Sequence, residues 1–535
     1  MTINMKNIIK GLAVAVCFST MLTACTKNFE YFNTNQHQAT EEQMGKDDLK
    51  TGALFAQMLR AVYVYNDGIA EHYDSDYQIA YNLLADSYAG YFAPTIASNG
   101  GVHCGSYFMT ESWRRAMYNY TYTRGISSYV QLVREASDRE PVIALANIVK
   151  VALMHRVTDY YGPVPYSKIG SSLSVEYDSQ EDIYKQFFAE LGEAIDVLNN
   201  FVNVNPTGKL LDSYDIVYGG DVTKWIKFAN SLRLRLAMRV YYADENLAKT
   251  EADKSLSDVT GVMTAVADVA KINSQYTSYT HPVKTINVSF NDGDTQMGAS
   301  MDSYLNGYND PRLPKYFKEA GKGGYHGVRN GIHTTVWDDY RNSSGLVSAP
   351  NMDNAELIWM AASEVAFLCA EYELRWGSAG AAKDYYETGI RLSFEETGAG
   401  AADGYIANSQ AVPADFTDNT KNGGNISAMS DITVAWEDGA SVERNLERII
   451  TQKWIALYPN GCEAWAEYRR TGYPALFPVI NNDSEGAVNT ALQIRRVAYP
   501  HDEYTNNAAG IAVGISKLGG SDNAGTKLWW DQKPR

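Results

Sequence analysis

From Ser179 the chain reads SQEDIYKQFFAELGEAIDVLNN, with Ile183, Phe187, Leu191, Ile195 and Leu198 recurring at three- and four-residue intervals. Side chains at that spacing share one face of a helix. Ser179 followed by Asp182 is a start signal of the capping type. From Pro141, the positions Ile143, Ala144, Ala146, Ile148, Val151 and Met154 predict a second, mostly apolar helix, which Tyr161-Gly162-Pro163 stops. Further helical patterns cover residues 224–242, 355–376, 381–395 and 444–470. The pairs 140–160 with 180–200 and 355–376 with 381–396 read as hairpins stacked in tetratricopeptide-like fashion, so the expected fold is mostly α.

Between these helices lie long segments rich in Gly, Asn, Asp, Ser and Thr, at roughly 86–125, 255–350, 397–440 and 476–535. Unstructured connections of that length are usually functional or disordered. These keep their aromatic residues, which favours function, and loops on a rigid scaffold are where binding residues collect.

Residues 1–24 have a different character. Lys6 and Lys10 precede an apolar block, Gly11 to Leu22, shorter than the roughly 20 residues that cross a bilayer. A charged start and a short apolar core predict a secretory signal. Its exit, Leu22-Thr23-Ala24-Cys25, resembles the lipobox of bacterial lipoproteins, which implies cleavage before Cys25 and lipidation of its thiol. Each buried methylene contributes roughly 0.8 kcal/mol, so several acyl chains on Cys25 would anchor the protein firmly. Thr26 after the cysteine implies sorting to the outer membrane of a Gram-negative cell. Residues 25–535 then read as one domain, with 25–40 as its tether, and no further segment is read as membrane-spanning.

The net charge of −17 excludes nucleic acid as an expected partner, because phosphate binding needs basic patches. The 38 tyrosines and 10 tryptophans point elsewhere, since flat rings with a polar handle suit stacking on sugars and packing at interfaces. Cys104, Cys369 and Cys462 form no CxxC pair and no disulfide framework; they read as small apolar residues.

No catalytic constellation stands out. The eight histidines include no HExxH, and His72, His103 and His155 have no neighbouring ligand at metal spacing. There is no GxSxG elbow, and residues 321–327, GKGGYHG, lack the strand-then-helix setting of a phosphate cradle. Glu463 and Glu467 could in principle flank a glycosidic bond, but with Arg469 and Arg470 beside them helix ion pairing is the better reading. Asn291-Asp292-Gly293-Asp294 lacks the later ligands of a calcium loop and reads as a solvated turn. No cofactor, metal or catalytic residue is expected.

An ordered series of motifs resembles the SusD/RagB family of nutrient-capturing surface lipoproteins. After Cys25 come Phe32-Asn33-Thr34-Asn35; then Thr158-Asp159-Tyr160-Tyr161-Gly162-Pro163-Val164-Pro165-Tyr166, similar to a D-x-x-G-x-[IV]-P-[YF] turn; and the helix from Lys224-Trp225 to Leu236-Ala237. Asp310-Pro311-Arg312-Leu313, the run from Ala362 to Glu371, and Asn460 to Pro474 follow, and Arg495-Arg496 with Tyr499-Pro500 and Glu503 close the set. The resemblance implies four tetratricopeptide-like helix pairs with irregular ligand-binding loops. It also implies a non-enzymatic role: capture of a glycan or oligosaccharide for a SusC-like TonB-dependent outer-membrane transporter, over which the protein sits as a lid. The motifs build the scaffold, so Glu463, Trp465, Arg469 and Arg470 are expected to be structural. Ligand contacts are expected from loops in 87–120 and 276–340, with Tyr91, Tyr107, Tyr325 and Trp337 as the candidates. A peptide-capturing lipoprotein on the same scaffold, or a glycoside hydrolase, are the alternatives.

Overall fold

The computed structural model describes residues 48–65, 73–172, 174–333, 337–420 and 423–534. The signal, Cys25, the tether and His72 lie outside them. Eight helices carry the architecture: α1 (Glu140–Tyr161), α2 (Gln180–Val204), α3 (Val222–Arg239), α4 (Glu245–Leu256), α5 (Ala362–Trp376), α6 (Ala379–Thr397), α7 (Val442–Ala456) and α8 (Gly461–Thr471). They follow as four consecutive pairs, with α2 packed on α3, and α5 on α3 and α7. The fold is the mostly α, tetratricopeptide-like scaffold expected.

Local chemistry explains the boundaries. Ser179 Oγ accepts from Asp182 N at 3.1 Å and starts α2; Asp221 does the same for α3 through Lys224 N at 3.2 Å. Helix α4 carries almost no apolar signal, because its buried face is Ala248, Glu251, Ala252 and Ser255. Two expected helices differ. Residues 355–361 are extended rather than helical. The single helix expected over 444–470 is broken at Leu457–Asn460, where Pro459 cannot donate a helix hydrogen bond, and Asn460 restarts the chain by capping α8.

Among the described residues four short strands, β1 (Phe92–Pro94), β2 (Ala270–Lys271), β3 (Thr295–Met297) and β4 (Ile358–Met360), pair antiparallel as β1–β3 and β2–β4. The long connecting segments also contain short helices, among them Ala299–Tyr308 and Ala508–Leu518. Helix α1 is long and apolar enough to cross a membrane, against the sequence expectation, yet 83 % of its apolar window is buried. It is a core helix. Cys104, Cys369 and Cys462 are free and buried.

The scaffold core contains a lattice of buried charge. Arg235 of α3 donates twice to Glu364 of α5 at 2.7 Å, and Arg239 donates to Glu463 of α8 at 2.6 Å. Lys453 of α7 lies 3.3 Å from Glu467. Arg470 grips both Glu371 and Glu467, with contacts of 2.6–3.0 Å. Burial alone would raise the Glu467 carboxyl, but Arg470, Lys453 and Arg239 outweigh it and hold it well below the usual range. Arg312 is forked onto Asp310 and reaches Gln452 of α7 at 2.9 Å.

Candidate ligand-binding face

The loops form a second layer with small cores of their own. Ala93, Val328, Ile332, Tyr340 and Val347 make one; Ala299, Phe416 and Phe477 make another. Backbone hydrogen bonds then bring three distant segments together. Asp483 N donates to Ser106 O at 2.7 Å, Ile480 N to Asn330 O at 2.9 Å, and Asn481 N to Gly331 O at 3.1 Å. Gly331 takes φ +77°, and a Cβ there would lie 2.7 Å from Asn481 O, so only glycine lets the two strands of loop approach.

At this junction His333 Nε2 donates to Asp483 Oδ2 at 2.9 Å, with both side chains part-exposed. Burial would raise the Asp483 carboxyl, but its hydrogen bonds with Ser106 and His333 bring it below its ordinary value. Beneath, His103 Nδ1 accepts from Gly105 N at 3.0 Å, and burial lowers its pKa to about 4, leaving a neutral ring. Phe108, 40 % exposed, stands on the same turn.

Trp337 is half-buried, with the Arg341 guanidinium 3.1 Å above its ring. Its segment is pinned by Asn342 N to Asp292 O at 3.0 Å, Ser343 N to Asp292 Oδ2 at 3.0 Å, and Asn342 Nδ2 to Asn287 O at 2.8 Å. Asp292 is thus committed to the loop, and Asp294 accepts from Gln78 at 2.8 Å and Asn291 at 3.0 Å. Among the described residues no group of three His, Cys, Asp or Glu is placed to hold a metal. Tyr325 is also half-buried; Asn306 Nδ2 holds its carbonyl at 3.0 Å, and burial, then Glu319, raises its hydroxyl.

The two candidates from the first loop are corrected. Tyr91 is fully buried, donates to Trp454 O at 2.5 Å and packs its ring 5.4 Å from those of Trp454 and Tyr458. It offers a ligand no surface. Tyr107 is 4 % exposed, because its left-handed φ of 68° turns the ring under the face, where it lines a cavity of about 20 Å³ with Tyr88 and Arg329. That volume holds about one water. The same turn brings out Phe108, which sequence reasoning placed in the loop without choosing it; His333, Asp483 and Arg341 were not anticipated. Glu463, Trp465, Arg469 and Arg470 are buried in the scaffold as expected. His155 is likewise internal, bonded to Val151 O at 3.0 Å and lowered well below its ordinary value by burial and by Arg235 and Arg156.

A repeat-type helical scaffold carrying long irregular loops defines the class of protein. The family described as SusD-like, Susd and RagB outer membrane lipoprotein, matches residues 31–531. Solved structures agree. A chitin-binding SusD homolog from Flavobacterium johnsoniae is 38 % identical over 90 % of this chain and 98 % of its own, with a TM-score of 0.85. SusD homologs from Bacteroides vulgatus (34 %, 91 % and 98 % covered, TM-score 0.84) and Bacteroides uniformis (37 %, 90 % and 99 % covered, TM-score 0.81) match similarly. Among curated proteins nothing matches. The chain belongs to the SusD/RagB family of outer membrane lipoproteins.

Proposed function

We propose that this protein captures a glycan at the cell surface and passes it, without turnover, to a SusC-like TonB-dependent transporter. The observation that carries the reading is the loop layer, where Trp337, Tyr325 and Phe108 have partly open rings and the part-exposed His333–Asp483 pair leaves polar atoms at the surface. Rings stack on pyranose faces and such polar pairs bond hydroxyls, the mixture expected of a small-ligand site. The chitin-binding relative from Flavobacterium johnsoniae supports a glycan as the cargo class. Capture requires no shifted nucleophile, and the carboxylates best spaced for hydrolysis, Glu463 and Glu467, are occupied by Arg and Lys.

Replacing both Trp337 and Tyr325 with Ala should abolish retention on affinity gels of the cognate polysaccharide while leaving the unfolding midpoint in place. Unchanged retention would remove this face from the proposal. Lipidation of Cys25 is the proposed anchor: Cys25→Ala should strip the protein from the outer membrane and preserve binding in vitro, and its persistence in the membrane fraction would sink the lipobox reading.

A further inference from the structure

Away from the loop face, two open grooves flank helix α4. One, of about 840 Å³, lies between α4 and the α5–α6 pair, with Val365, Ala366 and Leu392 along its floor and Tyr372 and Tyr385 at its edge. The other, of about 730 Å³, lies against α2, with Phe188, Ile195 and Leu247. Both reach Ser257 at the end of α4, where the turn carries Val259, 89 % exposed.

The charges are lopsided in a way that selects an occupant. Every cation lining the grooves already has a partner: Lys227 on Asp268, Lys249 on Asp253, Arg233 and Lys254 on Glu251, and Lys185 on Glu181. Four lining acids, Glu193, Asp196, Asp258 and Glu373, make no ion pair among the described residues; both oxygens of Asp258 are taken by Asn199 Nδ2 at 3.1 Å and Thr260 N at 2.9 Å, which leaves Glu193, Asp196 and Glu373 to a partner. The unmatched field is therefore negative, over a floor of branched aliphatic side chains. Such a floor accepts apolar side chains rather than the flat face of a sugar, and helical-repeat grooves of this shape hold extended or helical polypeptide.

We propose that this double groove docks a partner polypeptide, through a segment that seats apolar side chains on the floor and sets Lys or Arg against Glu193, Asp196 and Glu373. The surface shares no residue with the loop face and does not depend on the glycan reading.

The test is an array of random-sequence peptides of about 12 residues, long enough to cross both grooves when extended, probed with the labelled full chain. Bound peptides should be enriched in sequences that interleave Lys or Arg with Leu, Ile, Val or Phe. The best binder should lose about tenfold in affinity for the Glu193→Lys, Asp196→Lys, Glu373→Lys triple variant. The triple change Asp138→Lys, Asp212→Lys, Glu485→Lys alters net charge equally elsewhere and should stay within about twofold of the parent. Tyr385→Ala, at a 41 % exposed edge position, should weaken binding without altering charge or fold. Absence of binding, enrichment of acidic or neutral peptides, or equal losses in the two triple variants would overturn the proposal; the last would assign the attraction to the overall charge of −17.

Discussion

Arg470 and Arg341 show how differently the two layers of this molecule use the same side chain. Arg470 is fully buried between Glu371 and Glu467, and two of its four hydrogen bonds, those to Glu371, tie α8 to α5. Arg341 lies over the Trp337 ring near the surface, with Asp338, 89 % exposed, as its ionic neighbour at 3.6 Å. In the lattice, buried Arg235, Arg239, Lys453 and Arg470 each face a buried Glu, and this pairing fixes the relative positions of α3, α5, α7 and α8. In the loop layer the contacts are solvated, and little stability depends on any one of them. The lesson is a division of labour: the scaffold holds geometry through interactions that tolerate no loss, and the loops are free to vary on top.

The largest effect should come from breaking the lattice. Arg470→Met leaves Glu371 and Glu467 buried with one fewer cation, and should cost about 3–5 kcal/mol in denaturant unfolding. Arg341→Met should stay within about 0.5 kcal/mol. Similar losses for both would erase the distinction between the layers.

A smaller effect sharpens it by pH. Asp86 ends the π-helical segment Gln78–Asp86 in the core, accepts from Gly461 N at 3.2 Å, and makes no ion pair among the described residues. Burial pushes its carboxyl up to about 7, the reverse of Glu467. Between the ordinary 3.8 and about 7, the folded state holds a proton that the unfolded chain has released. This contribution therefore favours the fold below pH 7 and is lost as pH rises through that value. Asp86→Asn removes the dependence, so its stability relative to the parent should be about 2–3 kcal/mol more favourable at pH 8 than at pH 5. Taking the difference between variant and parent cancels His103 and His281, whose neutral buried rings at about 4 destabilise the fold on acidification. A flat difference across that window would show Asp86 to be ionised in the fold at both pH values.

What was legible in the sequence follows the same division. Helix α2 could be read from its apolar stripe and its Ser179 cap, because both signals are local. Only one edge of the lattice was legible, the pairing of Glu467 with Arg470 within α8; the partners Arg239 and Glu371 lie 224 and 99 residues away from Glu463 and Arg470. Helix α4 was invisible because small and polar residues cover its buried face. Tyr91 was misread for a different reason: its partner Trp454 is 363 residues away in sequence, and no window over the loop contains that contact. Tyr107 and Phe108 are adjacent and equally aromatic, and only the left-handed turn decides which ring faces outward.

Phe108 and His333 provide the gentlest probe of the comparison. Phe108 is 40 % exposed, so Phe108→Ala sacrifices little buried area, and His333→Ala breaks only a part-exposed pair with Asp483. Each should shift unfolding by less than about 0.5 kcal/mol, yet each should weaken glycan binding about tenfold in calorimetry, the size of one lost stacking or polar contact. Because Asp483 N is held by Ser106 O independently of its side chain, the loop junction survives either change. A variant that loses binding and stability together would mean that the pair holds the junction rather than the ligand. One that loses neither would move the binding face toward Trp337 and Tyr325.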